Sequence, residues 1–283
     1  MWKQRLRIFL GNKLAIVSVT YLAVIVLLCF LGPILHPTNQ TNQALTLTQL
    51  PWNQSPSLHH LLGTDSQGFD ELGRILYGGE YSLTLGFLAG FITIVVGTIY
   101  GMVSGFVGGA TDTVLMRLLD AFLSIPYLFL LITLIAVFGR STTFLIAIIG
   151  LTGWWGNARI IRGDALLIRQ LEYTQAANSM GAGKWHVIRR HVFPNSISNI
   201  VTVATFSVAD AILFLSALGF LGLGIQAPQT DWGTMLQSGT TQLQNGYWWE
   251  IFPLAVIFIL VVVAINYIGD ALRDAFEVRL LER

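Results

Sequence analysis

Cysteine, charged residues and net charge are all scarce in this chain of 283 residues. Its one cysteine, Cys29, lies inside an apolar run, which excludes a disulfide scaffold. Charged residues make up 11% of the chain and hydrophobic residues 54%, whereas soluble domains carry about 25% charged residues. This composition cannot cover a water-facing surface. The net charge of +1 also gives no bulk attraction to nucleic acid, so we expect no nucleic-acid partner.

Motifs for catalysis and for nucleotide binding are absent too. The sequence has no Gly-x-x-x-x-Gly-Lys-Ser/Thr loop and no His-Glu-x-x-His motif. The adjacent residues His59 and His60 lack the spacing of a metal site, and we expect them to lie in a loop. We therefore expect no catalytic residue, no metal site and no cofactor bound by this chain.

Long apolar runs dominate the sequence. A bilayer core about 30 Å thick requires about 20 apolar residues of helix, and six stretches are long enough. They are Leu14–Leu35, Ser82–Val107, Val114–Phe138, Thr142–Ile161, Ser198–Gly224 and Ile251–Gly269. The sequence therefore predicts an all-α, polytopic membrane protein with six transmembrane helices.

The basic residues predict the orientation of these helices. If the N-terminus lies inside, fourteen of the sixteen lysines and arginines are on the inner side, and only Arg74 and Arg140 are outside. Inner loops of membrane proteins carry such an excess of Lys and Arg. We therefore expect both termini to be cytoplasmic.

These predictions divide the chain into segments along its length. Residues 1–13 form a cytoplasmic N-terminus, 14–35 the first membrane helix, 36–81 an outer loop, 82–270 a five-helix core and 271–283 a cytoplasmic tail. Within the core, residues 162–197 form a long cytoplasmic loop and 225–250 a second outer loop.

The long cytoplasmic loop has helical character between breakers. Glu172 suits the start of a short helix that Ala176-Ala177 continues, and Gly181 is expected to end this helix in a left-handed conformation. A second helical piece begins near Lys184 and is expected to end at Pro194. The alanines and Gly181 would form one small, flat face suited to the groove of another protein. A second interpretation is an amphipathic helix that lies on anionic lipid.

Several motifs of the sequence resemble those of a known protein family. The run Glu172-Tyr173-x-x-Ala176-Ala177-x-x-x-Gly181-Ala182, followed by Arg190-His191-x-x-Pro194-Asn195, resembles the coupling-loop signature of ABC importer permeases, within the oligopeptide, dipeptide and nickel branch. Further matches extend over nearly the whole chain. They are Gly63-Thr64-Asp65-x-x-Gly68-x-Asp70, Asp112-x-x-x-Met116-Arg117-x-x-Asp120 with Pro126, Ala158-Arg159-x-x-Arg162-Gly163, Leu221-Gly222-Leu223-Gly224 with Trp232-Gly233, and Asn266-x-x-Gly269-Asp270-x-Leu272-Arg273-Asp274. Phe69, Gly73, Glu80 and Leu215 depart from the family pattern.

The resemblance implies a subunit of a type I ABC importer in a prokaryotic cell membrane. Its implied partners are a second, homologous permease that completes the pore, two cytoplasmic ATPase subunits that bind ATP and Mg²⁺, an extracytoplasmic substrate-binding protein, and membrane lipid. The implied ATPase-coupling residues are Glu172, Tyr173, Ala176, Ala177, Gly181, Ala182, Arg190, His191, Pro194 and Asn195. The implied cargo is an oligopeptide or dipeptide, and nickel or another small solute is the alternative. A stand-alone secondary transporter is a rival class, but we find no internal repeat and only one mid-membrane acid.

That acid, Asp210, has two interpretations. A charge within a span must face protein or a wet cavity, so Asp210 either lines the pore and contacts a peptide amino group, or bonds to a neighbouring helix. Arg117 and Asp120, spaced i and i+3, are predicted to pair. Glycines spaced by four or seven residues in the second span predict close helix packing, and we favour packing within this subunit over packing on a partner. They are Gly86, Gly90, Gly97, Gly101 and Gly105.

Overall fold

The structure, a computed structural model, describes residues 2–35, 37–45 and 52–277. These residues are mostly helical, and the isolated β-bridge among them joins Thr64 and Asp70. The helices are α1 (Trp2–Gly11), α2 (Lys13–Leu35), α3 (Glu71–Val107), α4 (Gly109–Leu123), α5 (Tyr127–Phe138), α6 (Thr142–Thr152), α7 (Trp155–Arg169), α8 (Glu172–Ser179), α9 (Lys184–Val187), α10 (Phe193–Phe220), α11 (Trp232–Leu243) and α12 (Phe252–Glu277). A π-helical turn, Ile188–Val192, precedes α10 and a 3₁₀ turn, Trp248–Glu250, precedes α12. Parts of the predicted outer loop (residues 46–51) and C-terminal tail (278–283) lie outside the described residues.

Five helical stretches among the described residues are long and apolar enough to cross a membrane. They are Lys13–Leu35, Glu71–Val107, Thr142–Arg169, Lys184–Phe220 and Trp248–Phe276. A sixth crossing exists if α4 and α5 count as one span, and these two helices are bent by 82°. The bend lies at residues 124–126, where Pro126 cannot donate a backbone hydrogen bond. The predicted span Val114–Phe138 is thus divided into two helices in the structure, and the all-α membrane fold is confirmed.

Several helices extend beyond the apolar runs that predict them. α3 begins at Glu71, eleven residues before the predicted span, because Asp70 caps it with a 2.8 Å hydrogen bond from the Gly73 N–H to Asp70 Oδ1. α7 likewise continues to Arg169, into the predicted 162–197 loop. Hydropathy identifies only the apolar part of a helix that lies in the bilayer core. It does not detect the polar turns that extend the helix at either end.

α3 is the central helix of the bundle, and its glycines contact helices of the same chain. Gly86 and Gly90 face α10, and the next three glycines of the series face α7. A Cβ on Gly90 would lie 2.8 Å from Cα of Val208, and one on Gly101 would lie 2.5 Å from the backbone oxygen of Ala158. Packing of these glycines within the subunit is confirmed, because only a hydrogen atom fits between the backbones.

The first residue of α11, Trp232, is hydrogen-bonded to the central helix α3. Trp232 is fully buried, and its indole N–H donates to the Ile75 carbonyl at 2.9 Å. Its backbone N–H donates to the Ser82 hydroxyl at 3.0 Å. The predicted outer loop of residues 225–250 is therefore a folded cap on the bundle that includes a helix.

Candidate functional site

The connector, which we define as residues 171–195 from the end of α7 into the first turn of α10, contains the predicted coupling residues. Glu172 lies in the first turn of α8. The helix ends in two backbone hydrogen bonds, in which the Gly181 and Ala182 N–H groups donate to carbonyls three and five residues earlier at 3.0 and 3.1 Å. Gly181 has φ +82°, so the prediction of a left-handed glycine that ends this helix is confirmed.

α8 presents one face to the bundle and the other to its surroundings. Ala177 is 8% exposed and packs in a cluster with Met102 and Phe106 of α3. Ala176, the next residue around the helix, is exposed, as is Gly181. The prediction that both alanines share one outer face with Gly181 is therefore wrong, because consecutive residues of an α-helix point about 100° apart.

The exposed face of α8 carries two large side chains as well as the small residues. Tyr173 is 43% exposed and Met180 is 82% exposed. The small-residue pattern does not include Met180, although a large apolar side chain next to a helix-ending glycine is a visible signal in the sequence. Of the other predicted coupling residues, Ala182 and His191 are partly exposed, while Arg190 and Pro194-Asn195 are exposed.

The second half of the connector runs directly into α10. α9 passes through the π-helical turn Ile188–Val192, and Pro194 lies in the first turn of α10. Pro194 lacks a backbone N–H to donate to the preceding turn, and the helical run is irregular there, since the turn before it is π-helical and not α-helical. The prediction that a helix ends at Pro194 is therefore wrong. The connector and the span that carries Asp210 form one helical run, Lys184–Phe220.

Side-chain contacts hold the two halves of the connector together. The Tyr173 and His191 rings are 5.7 Å apart between centroids. Within the second half, the Asn195 amide donates to the His191 carbonyl at 2.6 Å. Beneath them, Val187 and Val192 are fully buried in the same cluster as Ala177. The connector is therefore a packed unit on the ends of α3 and α7.

A cavity of about 280 Å³ lies beside the bend between α4 and α5. Its polar lining includes Asn157, whose amide donates to the Ser207 hydroxyl at 2.7 Å, and Tyr127, whose hydroxyl donates to the Ile149 carbonyl at 3.2 Å. Asp210 is exposed at this cavity.

The carboxylate of Asp210 accepts no hydrogen bond and forms no ion pair within the part of the chain that the structure describes. A bond from Asp210 to a neighbouring helix is thus not found there. Its role in lining the pore remains a prediction.

Two ion pairs join α4 to α7. The Arg162 guanidinium donates to both carboxylate oxygens of Asp112 at 2.6 Å, and Arg159 donates to Asp120 at 2.5 Å. The predicted pairing of Arg117 with Asp120 is therefore wrong, because Asp120 has a partner on another helix. Asp112 and Asp120 belong to one sequence motif, and Arg159 and Arg162 belong to another. The spacing within each motif does not show that the two motifs are in contact.

At the opposite end of α3, Arg74 is buried and contacts both the folded cap of residues 225–250 and the segment that precedes α3. Its guanidinium donates to the carbonyls of Gln40 and Pro228 at 3.1 and 3.2 Å, and it lies 4.4 Å from the Phe69 ring centroid. Its Nε is 3.7 Å from Asp65. Burial raises the pKa of the Asp65 carboxyl, although Arg74 and three backbone N–H groups act to lower it.

The departures from the family pattern at residues 69 and 73 have a structural explanation in this cap. Phe69 provides the ring over which Arg74 lies. A Cβ on Gly73 would collide with the side chains of Thr38 and Gln40. His60 is also part of this region, since its Nδ1 is 2.8 Å from Asp70 Oδ2. No group of three or more histidine, cysteine or acidic residues that could hold a metal occurs among the described residues.

The chain matches two family models. Residues 93–282 match the binding-protein-dependent transport system inner membrane component, and residues 1–56 match the N-terminal TM domain of oligopeptide transport permease C. The chain belongs to this family of inner-membrane permeases of ABC transporters. The resemblance seen in the sequence is thereby confirmed.

Curated relatives agree with this membership, and a solved structure shares the fold. The dipeptide transport system permease protein DppC of Bacillus subtilis is 38% identical over 95% of this chain and 83% of its own length. The oligopeptide transport system permease protein OppC of Haemophilus influenzae is 37% identical over 98% of this chain and 88% of its own length. A structure of the methionine ABC transporter MetNI in inward-facing conformations aligns with a TM-score of 0.58 at 20% identity, covering 70% of this chain and 94% of that one. This last similarity establishes the fold alone.

Proposed function

We propose that this chain forms half of the pore of an ATP-driven peptide importer and couples that pore to ATPase subunits. The observation that supports this most is the single helical run Lys184–Phe220. It begins in the connector, which exposes Ala176 and Gly181, and it carries Asp210 at the cavity. A movement of the connector would therefore reach the cavity wall through one helix.

Two ATPase subunits are the proposed partners of the connector. They would bind ATP and Mg²⁺, while this chain supplies the docking surface around Tyr173, Ala176, Met180 and Gly181. The packed core beneath that surface supports the proposal. A well-packed connector would transmit a displacement to the membrane helices, whereas a flexible loop would not. A second, homologous permease would complete the pore.

Peptides are the proposed cargo. Relatives that align over nearly the whole chain are named for dipeptide, oligopeptide and glutathione transport. The unpaired carboxylate of Asp210, beside hydroxyl and amide groups in the cavity, has the chemistry to receive a peptide ammonium group. Nickel transport has no comparable support from this site.

The proposed orientation places the connector and both termini in the cytoplasm. The connector side of the bundle carries several basic residues, Lys184, Arg189 and Arg190, whereas Arg74 lies on the opposite side. This distribution supports the orientation, because inner segments of membrane proteins carry an excess of Lys and Arg. The cap around Arg74 and Trp232 would then face the extracytoplasmic binding protein.

Reconstitution tests this proposal directly. The full chain, its partner permease, both ATPases and the binding protein are placed in vesicles, and uptake of labelled dipeptides and oligopeptides is measured. We expect uptake that requires ATP and the binding protein. Uptake without the ATPases under an ion gradient would instead indicate a secondary transporter, and uptake of nickel without peptide would overturn the cargo.

A further inference from the structure

An apolar groove of about 300 Å³ lies where the connector meets the flank of α3. Residues of α3 form one wall, and residues of the connector and α10 form the other. The lining residues are Thr98, Ile99, Met102, Val103, Trp185, Ile188, Arg189 and Phe193. Ile99 is 55% exposed and Trp185 is 66% exposed, so the groove opens outward from the bundle.

A cationic recess of about 340 Å³ adjoins this groove. It is bounded by His186, Arg189 and Arg190, and Arg189 lines both spaces. Across the described ranges, no carboxylate pairs with these three side chains. The two spaces together therefore offer unneutralised positive charge directly beside an apolar slot.

We propose that this composite site binds one anionic phospholipid. The headgroup phosphate would be held by the guanidinium groups of the recess, and an acyl chain would occupy the groove along α3. Guanidinium groups bind phosphate in a bidentate manner. Tryptophan favours the boundary between headgroups and acyl chains, where Trp185 would lie in this arrangement.

The position of the groove favours a lipid over a soluble protein. The groove is lined by α3 residues from Thr98 to Val103, so its far end lies about 14 Å along that helix from the last residue, Val107. A soluble ATPase that docks on the connector would not reach so far along a membrane-spanning helix, whereas an acyl chain would. Thr98 is 7% exposed and its hydroxyl is buried, so this wall of the groove presents apolar atoms to an acyl chain.

Native mass spectrometry of the purified, assembled transporter tests the site with two added lipids, phosphatidylglycerol and phosphatidylcholine. We expect the wild type to retain phosphatidylglycerol preferentially. Arg189→Gln should weaken this binding about fivefold without changing phosphatidylcholine retention, since one basic side chain near an anionic headgroup has an effect of that order. Lys184→Gln is the matched control, because it removes an exposed charge from the same connector but lines neither space.

The apolar half of the site has its own matched pair of variants. Ile99→Trp should fill the groove and lower retention of phosphatidylglycerol, whereas Val95→Trp, one turn earlier on the exposed flank of α3, should not. Equal loss in Lys184→Gln and Arg189→Gln would show diffuse electrostatics and overturn the proposal. Efficient disulfide cross-linking of Ile99→Cys to a cysteine in the partner permease would also overturn it, because protein would then fill the groove.

Discussion

Arg162 of α7 holds Asp112 of α4 in a bidentate ion pair, with both nitrogen–oxygen distances at 2.6 Å. Ser104 of α3 donates a third hydrogen bond to the same carboxylate at 2.5 Å. Three helices thus meet at one side chain. Because α7 leads into the connector and α4 leads to the bend beside the cavity, this pair joins the two candidate functional parts of the molecule.

We expect Asp112→Asn to lower the free energy of unfolding by about 1.5–3 kcal/mol, since Arg162 would lose charge-assisted hydrogen bonds. The matched control is Asp120→Asn, which breaks the more exposed pair with Arg159 and should cost about 0–1 kcal/mol. Denaturant titration of the purified protein in detergent measures both. Equal losses in the two variants would contradict the importance of the less exposed pair between Asp112 and Arg162.

Gly101→Ala should destabilise the contact between α3 and α7 by about 1–3 kcal/mol, because the new methyl group would lie 2.5 Å from the Ala158 carbonyl oxygen. Gly163→Ala provides the comparison on α7, where a Cβ meets no atom within 4 Å. That variant should be neutral or slightly stabilising, since alanine favours helix. Thermal unfolding of both proteins checks the difference, and a stable Gly101→Ala protein would show that the helices can separate at no cost.

Asp210→Asn should reduce peptide uptake severalfold while the amount of assembled complex stays unchanged, because no described residue depends on this carboxylate. Asp210→Glu keeps the charge and should retain most uptake. Transport assays on vesicles with matched protein content give the answer. Normal uptake by the Asn variant across all tested peptides would remove the cargo role.

Gly181→Val and Gly181→Asn should both yield folded protein whose ATPase partners no longer respond to loaded binding protein. The chain itself leaves space for a side chain at this position, so only the φ of +82° and an approaching partner limit substitution. Valine should also cost about 1–2 kcal/mol of stability, a strain that asparagine largely avoids. Gly183→Ala, with φ −63° and equally open space, should keep coupling. Full stimulated ATPase activity in Gly181→Val would exclude the connector as the docking surface.

Single cysteines test the proposed orientation in intact cells. In a Cys29→Ala background, Gln244→Cys on the cap should react with a membrane-impermeant maleimide, and Ser179→Cys on the connector should react only after permeabilisation. Both positions are exposed, so access to the reagent differs only by the side of the membrane. Reaction of Ser179→Cys in intact cells would reverse the orientation.

Features that depend on nearby residues could be predicted from the sequence. The cap at Gly181 follows from a glycine after a short helical run, and the regular glycine spacing predicts that another helix comes close to Gly101, although not which helix it is. Local patterns of this kind carry their own geometry.

Features that depend on tertiary contacts could not be predicted. Asp112 and Arg162 are fifty residues apart, and each motif reads as an isolated charge pattern. Ala177 carries no signal that distinguishes it from Ala176, because the direction of the core under α8 is set by α3 and α7. Pro194 suggests a helix end, but the helical run continues through it by way of the π-helical turn Ile188–Val192, which has no clear signal in the sequence.

α3 is unbroken over 37 residues, a length of about 55 Å, whereas a bilayer with its headgroups measures about 40–45 Å. One end of this helix contacts the cap through Arg74, and residues near the other end, Met102 and Phe106, pack beneath the connector. The cap and the connector are therefore joined by one continuous helix. The 82° bend between α4 and α5, by contrast, interrupts the bundle beside the cavity, which leaves α3 as its continuous frame.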